Sequence, residues 1–163
     1  VKDKDELEEL MDKYGDYLKQ TAFHILHDIS LAEDMVQETF ISYYHRNQYK
    51  GKSSPKTYLY RILINHTKMY LRKYGYKKEE VYVSQETVEI EDYCVNKMDL
   101  SYALNRLSSK YKDVLILYYY NDLSISEISD IMNCSESGVK MRLKRGRAAL
   151  KEVLGGSYEE NIN

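Results

Sequence analysis

The sequence has no tryptophan, a single proline and only two cysteines among its 163 residues. With one proline and seven glycines, little interrupts a 3.6-residue apolar period, so an all-α fold is expected. Cys94 and Cys134 stand in unrelated contexts with no CxxC pair. That excludes a disulfide framework and fits a reducing compartment. No apolar run approaches the length of a membrane span and no signal-peptide pattern opens the sequence, so a soluble, cytoplasmic protein is expected. A glycine-rich phosphate loop, a His/Cys metal cluster and a nucleophile beside a base are all missing. The expectation is therefore a non-enzyme with no cofactor, no metal and no small-molecule substrate. His24 and His27, three residues apart beside Asp28, lack a convincing third ligand, and packed or surface histidines are the better reading.

Another absence is local. Residues 49–78 contain nine lysines and arginines, six tyrosines and no acid, inside a chain whose formal net charge is −2. Residues 136–151 form a second basic block with six cations and one acid. Segments 1–48 and 79–99 are each net −6, so a mild overall pI conceals two local cationic fields. Ser54-Pro55 reads as a helix start, with serine as N-cap and proline at the first helical position. The helix is expected to reach about Tyr74. On it Leu59, Ile62, Leu63, His66 and Tyr70 share one face, and Tyr58, Arg61, Asn65, Lys68 and Arg72 another. Cations for phosphate, with a ring and an amide for an unstacked base, suit a single nucleic-acid strand. A solvated amphipathic helix is the plain alternative.

Before this block, residues 5–27 read as one or two helices, with a break possible near Gly15. Ser30 to Glu33 reads as a capping box opening a helix to about Asn47. Its Ala32, Met35, Val36, Phe40 and Tyr43 face a core. Asp34, Gln37, Glu38 and Ile41 share an acidic face that is either ordinary solvated surface or a dock for a basic partner helix. After Gly75 the periodicity fails. The expected organisation is two small helical domains, residues 1–75 and 98–154, joined by a flexible acidic linker at 76–97, with a disordered tail at 155–163.

In the second domain Ser108 can cap a helix, and Ser124-Ile125-Ser126-Glu127 is a second capping box. Ser129, Asn133 and Val139 fit a helix-turn-helix: a small residue at the crossing, a left-handed residue in the turn, a buried branched residue early in the second helix. Asparagine suits the left-handed conformation. Val139, Leu143, Gly146 and Leu150 then face inward. Lys140, Lys144, Arg147 and Lys151 share the outer face, flanked by Met141, Arg142 and Arg145, as a major-groove reader requires.

These motifs, in this order, resemble the extracytoplasmic-function (ECF) class of bacterial RNA polymerase sigma factors over nearly the whole chain. Asp34-Met-Val-Gln-Glu-Thr-Phe40 is similar to that family's polymerase-docking motif. Thr57-Tyr-Leu-Tyr-Arg-Ile62 followed by Asn65 resembles its −10-reading helix. Leu123 to Ile128, Gly138 to Leu143 and Arg145-Gly-Arg147 resemble its −35-reading domain. Tyr58 stands where the family usually has tryptophan, Ser137-Gly138 where it has Gly-Thr, and Met141 where it has serine.

The resemblance implies a protein that directs core RNA polymerase to promoter DNA and assists melting. Asp34, Gln37, Glu38 and Ile41 would dock on the polymerase clamp. The loop residues Tyr49 to Ser54, among them Lys50, Lys52 and Ser53, with Asn65, would hold a flipped −10 base; Tyr58 would be a smaller wedge than the usual tryptophan, and Arg61, Lys68 and Arg72 would bind the strand's backbone. Lys140, Met141, Lys144 and Arg145 would lie over −35 base edges, with Arg142 and Arg147 on phosphates. The resemblance also implies an anti-sigma factor, often membrane-bound, as inhibitor. A stand-alone helix-turn-helix regulator explains residues 124–151 equally well, but leaves the acid-free block and the acidic face before it without a role.

Overall fold

The computed structural model describes residues 4–46, 54–86 and 95–154, with side chains described outside 75–99. All regular structure among the described residues is helical: α1 (Lys4–Leu26), α2 (Ile29–His45), α3 (Pro55–Glu86), α4 (Val95–Arg106), α5 (Ser109–Tyr119), α6 (Ile125–Met132) and α7 (Glu136–Leu154). None of the described helices is long and apolar enough to cross a membrane.

α1 is a single helix. Gly15 lies within it and does not break it, because an isolated glycine costs only about 1 kcal/mol and the apolar stripe continues on both sides. The turn into α2 corrects a sequence expectation. The N-cap is Asp28, whose carboxylate accepts the Leu31 N–H at 3.0 Å, so Ser30 and Glu33 lie inside the helix and form no capping box. The reason is where α1 stops. His27 adopts a left-handed conformation (φ 55°) that ends α1, and the extended Asp28 is then the first residue able to cap.

α1, α2 and α3 pack around Leu18, Ala22, Ile25, Phe40, Tyr43 and Leu59. α3 is buried on nearly every side at its start: Thr57, Tyr58, Leu59, Tyr60, Ile62, Leu63 and Ile64 are all buried. This corrects the expected facing of Tyr58. It is 8% exposed and meets the Tyr43 ring edge-on at 5.8 Å, so it fills the core rather than standing out as an aromatic wedge. The expected end of α3 is also corrected. Its backbone runs past Gly75 to Glu86, taking in half of the expected linker, and α4 begins at Val95. Lys77, Lys78, Glu79 and Glu80 are good helix formers, enough to carry the chain through one glycine.

In the C-terminal half, α5 is the centre. Every residue from Lys112 to Leu117 is buried, because α7, α6 and α1 pack against it from different sides. Gly146 lets α7 approach closely: a Cβ there would sit 3.1 Å from Leu115 Cδ1 and 3.4 Å from Tyr111 Cβ. The two halves also touch. α3 packs on α6 and α1 on α5, so the chain closes into one body.

Within that body Asp113 is 1% exposed, and neither carboxylate oxygen has a hydrogen-bond partner among the described residues. Burial pushes its pKa up to about 6, against the pull of nearby Lys112, Lys68 and Arg142. A carboxyl whose pKa is raised on folding stabilises the fold while protonated and loses that contribution as pH rises. Stability should therefore fall between the ordinary aspartate value of 3.8 and about 6. Asp113→Asn keeps the shape and removes the charge. It should raise the unfolding free energy near neutral pH by up to about 3 kcal/mol, with little gain near pH 4. Equal effects at both pH values would show that the carboxyl does not titrate as described.

Candidate nucleic-acid interface

The helix-turn-helix is built from local signals. Ser124 Oγ accepts the Glu127 N–H and the Glu127 carboxylate accepts the Ser124 N–H, both at 3.0 Å, a reciprocal capping box. The Ser124 N–H is the first cause holding the Glu127 carboxyl below its usual range, and Lys56 adds to it. α6 ends at Asn133, left-handed at φ 54° and ψ 51°, and Ser129 O accepts the N–H groups of both Asn133 and Cys134. Ser135 Oγ then accepts the Gly138 N–H at 3.0 Å and starts α7. Val139, Leu143 and Gly146 are buried. That leaves Lys140, Met141, Lys144, Arg145 and Arg147 exposed and Arg142 half-buried. Arg147 donates to the Tyr119 hydroxyl at 3.0 Å, which steadies one cation beside the exposed row.

On α2, Asp34, Gln37, Glu38 and Ile41 are all exposed at helical spacings of three, one and three. Ile41 is a solvated aliphatic residue (51% exposed) beside two carboxylates, and the core is complete without it. Beneath this face Ser42 Oγ and His66 Nε2 lie 3.2 Å apart, joining α2 to α3.

α3 distributes its polar residues unevenly. Asn65 and Arg72 are exposed, and Arg61 and Lys68 half-buried. Tyr49, Lys50, Lys52 and Ser53 lie outside the described residues. Arg61 is engaged within the chain: its Nε and Nη2 both donate to the carbonyl of Asp130 in α6. Lys56 pairs with Glu127 at 3.3 Å. Lys56, Glu127, Asp130 and Lys112 carry contacts between the halves, a role the sequence pattern gives to none of them. None stands out by type or spacing, because the partner of each lies 69 or more residues away in the chain or across a pair with no local pattern.

Two family models match the chain: sigma-70 region 2 over residues 10–76 and sigma-70 region 4 over residues 97–150. The ECF RNA polymerase sigma factor SigW of Bacillus subtilis (strain 168) is 31% identical over 172 residues, spanning 93% of this chain and 90% of the relative. The chain belongs to the ECF sigma factors. SigM of the same organism is also 31% identical, over 96% of this chain and 98% of its own length. The sigma factor RpoE of Bartonella quintana, solved with the anti-sigma factor NepR, superposes with a TM-score of 0.69 at 27% identity, covering 93% of this chain and 98% of that one. CnrH, solved with the cytosolic domain of CnrY, shares the fold at a TM-score of 0.71 and 19% identity.

This sigma factor recognises promoters for RNA polymerase, a regulatory role rather than a catalytic one. The region 2 match over α1–α3 is what a stand-alone helix-turn-helix regulator would lack, and that alternative is set aside.

The left-handed Asn133 gives a stability test of the turn. Asn133→Ala should cost about 1 kcal/mol in chemical denaturation, and Asn133→Gly close to nothing. Equal loss for both would mean that the asparagine side chain, not the backbone conformation, holds the turn.

Proposed function

We propose that the duties of this sigma factor divide between the two halves, α1–α3 reading and melting the −10 element and α4–α7 reading the −35 element. The observation that carries this reading is the acidic face of α2, exposed and dispensable to its own core, standing beside a helix that carries cations and no acid from Pro55 to Lys78. Asp34, Gln37, Glu38 and Ile41 dock on a basic helical surface of core polymerase. Ile41 contributes apolar contact and the carboxylates contribute orientation. Asn65, exposed on α3, hydrogen-bonds a base flipped from the non-template strand, with the loop residues Tyr49, Lys50, Lys52 and Ser53 around it. Arg61, Lys68 and Arg72 hold that strand's phosphates. Buried Tyr58 acts from beneath, supporting the helix instead of wedging between bases.

On α7, Lys140, Met141, Lys144 and Arg145 face −35 base edges while Arg142 and Arg147 position the helix on phosphates. The chain performs no covalent chemistry; polymerase makes the phosphodiester bonds. It works in the cytoplasm, restrained by an anti-sigma factor of the kind bound to the two solved relatives, in some cases membrane-anchored. An apolar groove of about 350 Å³ between α4, α5 and α7, lined by Leu100, Leu104, Leu115 and Leu150, supports a helical partner of that kind.

Three variants separate these roles. Asp34→Lys with Glu38→Lys should abolish capture by core polymerase without changing the thermal midpoint. Asn65→Ala should slow open-complex formation far more than initial duplex binding, measured by permanganate footprinting beside gel shift. Equal loss in both steps would remove Asn65 from the flipped-base role. Lys144→Ala should cost about 1–3 kcal/mol of discrimination at one −35 base pair. A uniform loss across all −35 sequences would assign Lys144 to phosphate.

A further inference from the structure

We propose that α3 reads one base pair beyond the flipped base: Met69 lies against the methyl group of a thymine in the duplex beside the opened −10 bases, and so adds a specificity contact to the promoter. This rests on the reading of α3 as the −10 helix.

Met69 is 62% exposed, the most exposed large apolar side chain among the described residues. A lone exposed apolar residue is ordinary, but the position of this one is not. It stands four residues after Asn65 and three before Arg72, in the middle of the exposed polar stripe of α3. The opposite side of the same turns is packed. Leu63, Ile64 and Thr67 are buried, and Tyr70 and Leu71 lie half-buried against the core. Met69 belongs to neither group, so the fold gains nothing from an apolar side chain there.

The surroundings of Met69 fit a DNA groove. Lys68 is half-buried at its side, and Arg72 and Lys73 are exposed on the next turn. Lys73 Nζ lies over the Tyr74 ring, 5.2 Å from its centroid, which steadies that cation. Cations flanking an apolar side chain take the phosphates that border a groove and leave the apolar group aimed at base edges. The major groove displays hydrogen-bonding groups on every base but one apolar group, the thymine C5 methyl. A thioether on a flexible, unbranched stem covers that methyl without a polar atom to orient. Spacing fixes which pair is met. Four helical residues rise about 6 Å, close to two stacked base pairs at about 3.4 Å each. The loop that encloses the flipped base precedes Pro55, and Met69 lies on the far side of Asn65 from it. Met69 therefore meets a pair that stays closed, about two steps from the base that Asn65 holds.

The test uses holoenzyme reconstituted from the full chain and bacterial core polymerase. Promoter fragments randomised over the −10 element and its flanking duplex are selected for binding. The selected promoter is then rebuilt with deoxyuridine for thymine, one pair at a time, which removes the methyl and nothing else. Wild type should prefer thymine at one closed pair about two steps from the flipped base, and lose about fourfold in affinity when it becomes deoxyuridine. Met69→Ala should bind the two promoters equally, with an unchanged thermal midpoint and an unchanged preference at the flipped base. At a promoter with cytosine at that position, 5-methylcytosine should restore affinity to wild type and not to Met69→Ala. A wild type indifferent to the methyl at every closed pair would overturn the contact, as would a Met69→Ala holoenzyme that still responds to deoxyuridine. Melting by Asn65→Ala is read in parallel. If it is slowed while wild type ignores the methyl, α3 keeps its −10 role and only the Met69 contact falls. Normal melting would count against the flipped-base role, and the methyl measurement then decides Met69 by itself.

Discussion

In the proposed reading α3 is core and interface at once, and that constraint shapes the rest of the molecule. From Thr57 to Ile64 it is buried on nearly every side, against α1 and α2 behind and α6 in front. A helix so enclosed cannot swing to find its ligand. Whatever it presents is presented rigidly, which suits the base capture proposed for it. Arg61 is the single charged residue within that run, and the structure provides it with a partner from the other half of the chain. Burial of α3 thus brings the two halves together as well as ordering the first.

The C-terminal half meets the same problem differently. α5 is the enclosed helix there, and α7 keeps its whole cationic row outside because Gly146 and Leu143 bury the opposite face. The cationic helix α7 and the core helix α5 are separate elements, so α7 can carry six cations without strain on the packing. Asp113, enclosed within α5 next to the seam, is a buried ionisable group whose oxygens have no hydrogen-bond partner among the described residues. Lys112 beside it is fully used.

What could be read from the sequence was local. The Ser124 capping box and the left-handed Asn133 depend on residues within four positions of one another, and both stand in the structure as the sequence indicates. The outward row on α7 follows from spacing alone. The Ser30 capping box fails for an equally local reason: Asp28 offers a competing cap two residues earlier, and only the left-handed His27 decides between them. Tyr58 was misplaced because a helix packed on several sides has no free face for a two-face pattern to find. The end of α3 was placed too early because loss of apolar period marks the end of burial, not of helix. The seam between the halves was invisible. Its strongest contacts run from side chains to carbonyls, and every residue has a carbonyl, so no residue type announces it.

The central claim is that two cationic helices grip DNA at two places only when an acidic patch on α2 is held by core polymerase. Reconstitution of the full chain with bacterial core polymerase, followed by genome-wide mapping of transcription starts, tests this most directly. The account expects a set of starts sharing two upstream elements at one fixed spacing, all absent without the chain. A chain that fails to associate with core polymerase, yet represses a gene by sitting on intact duplex unaided, would contradict it.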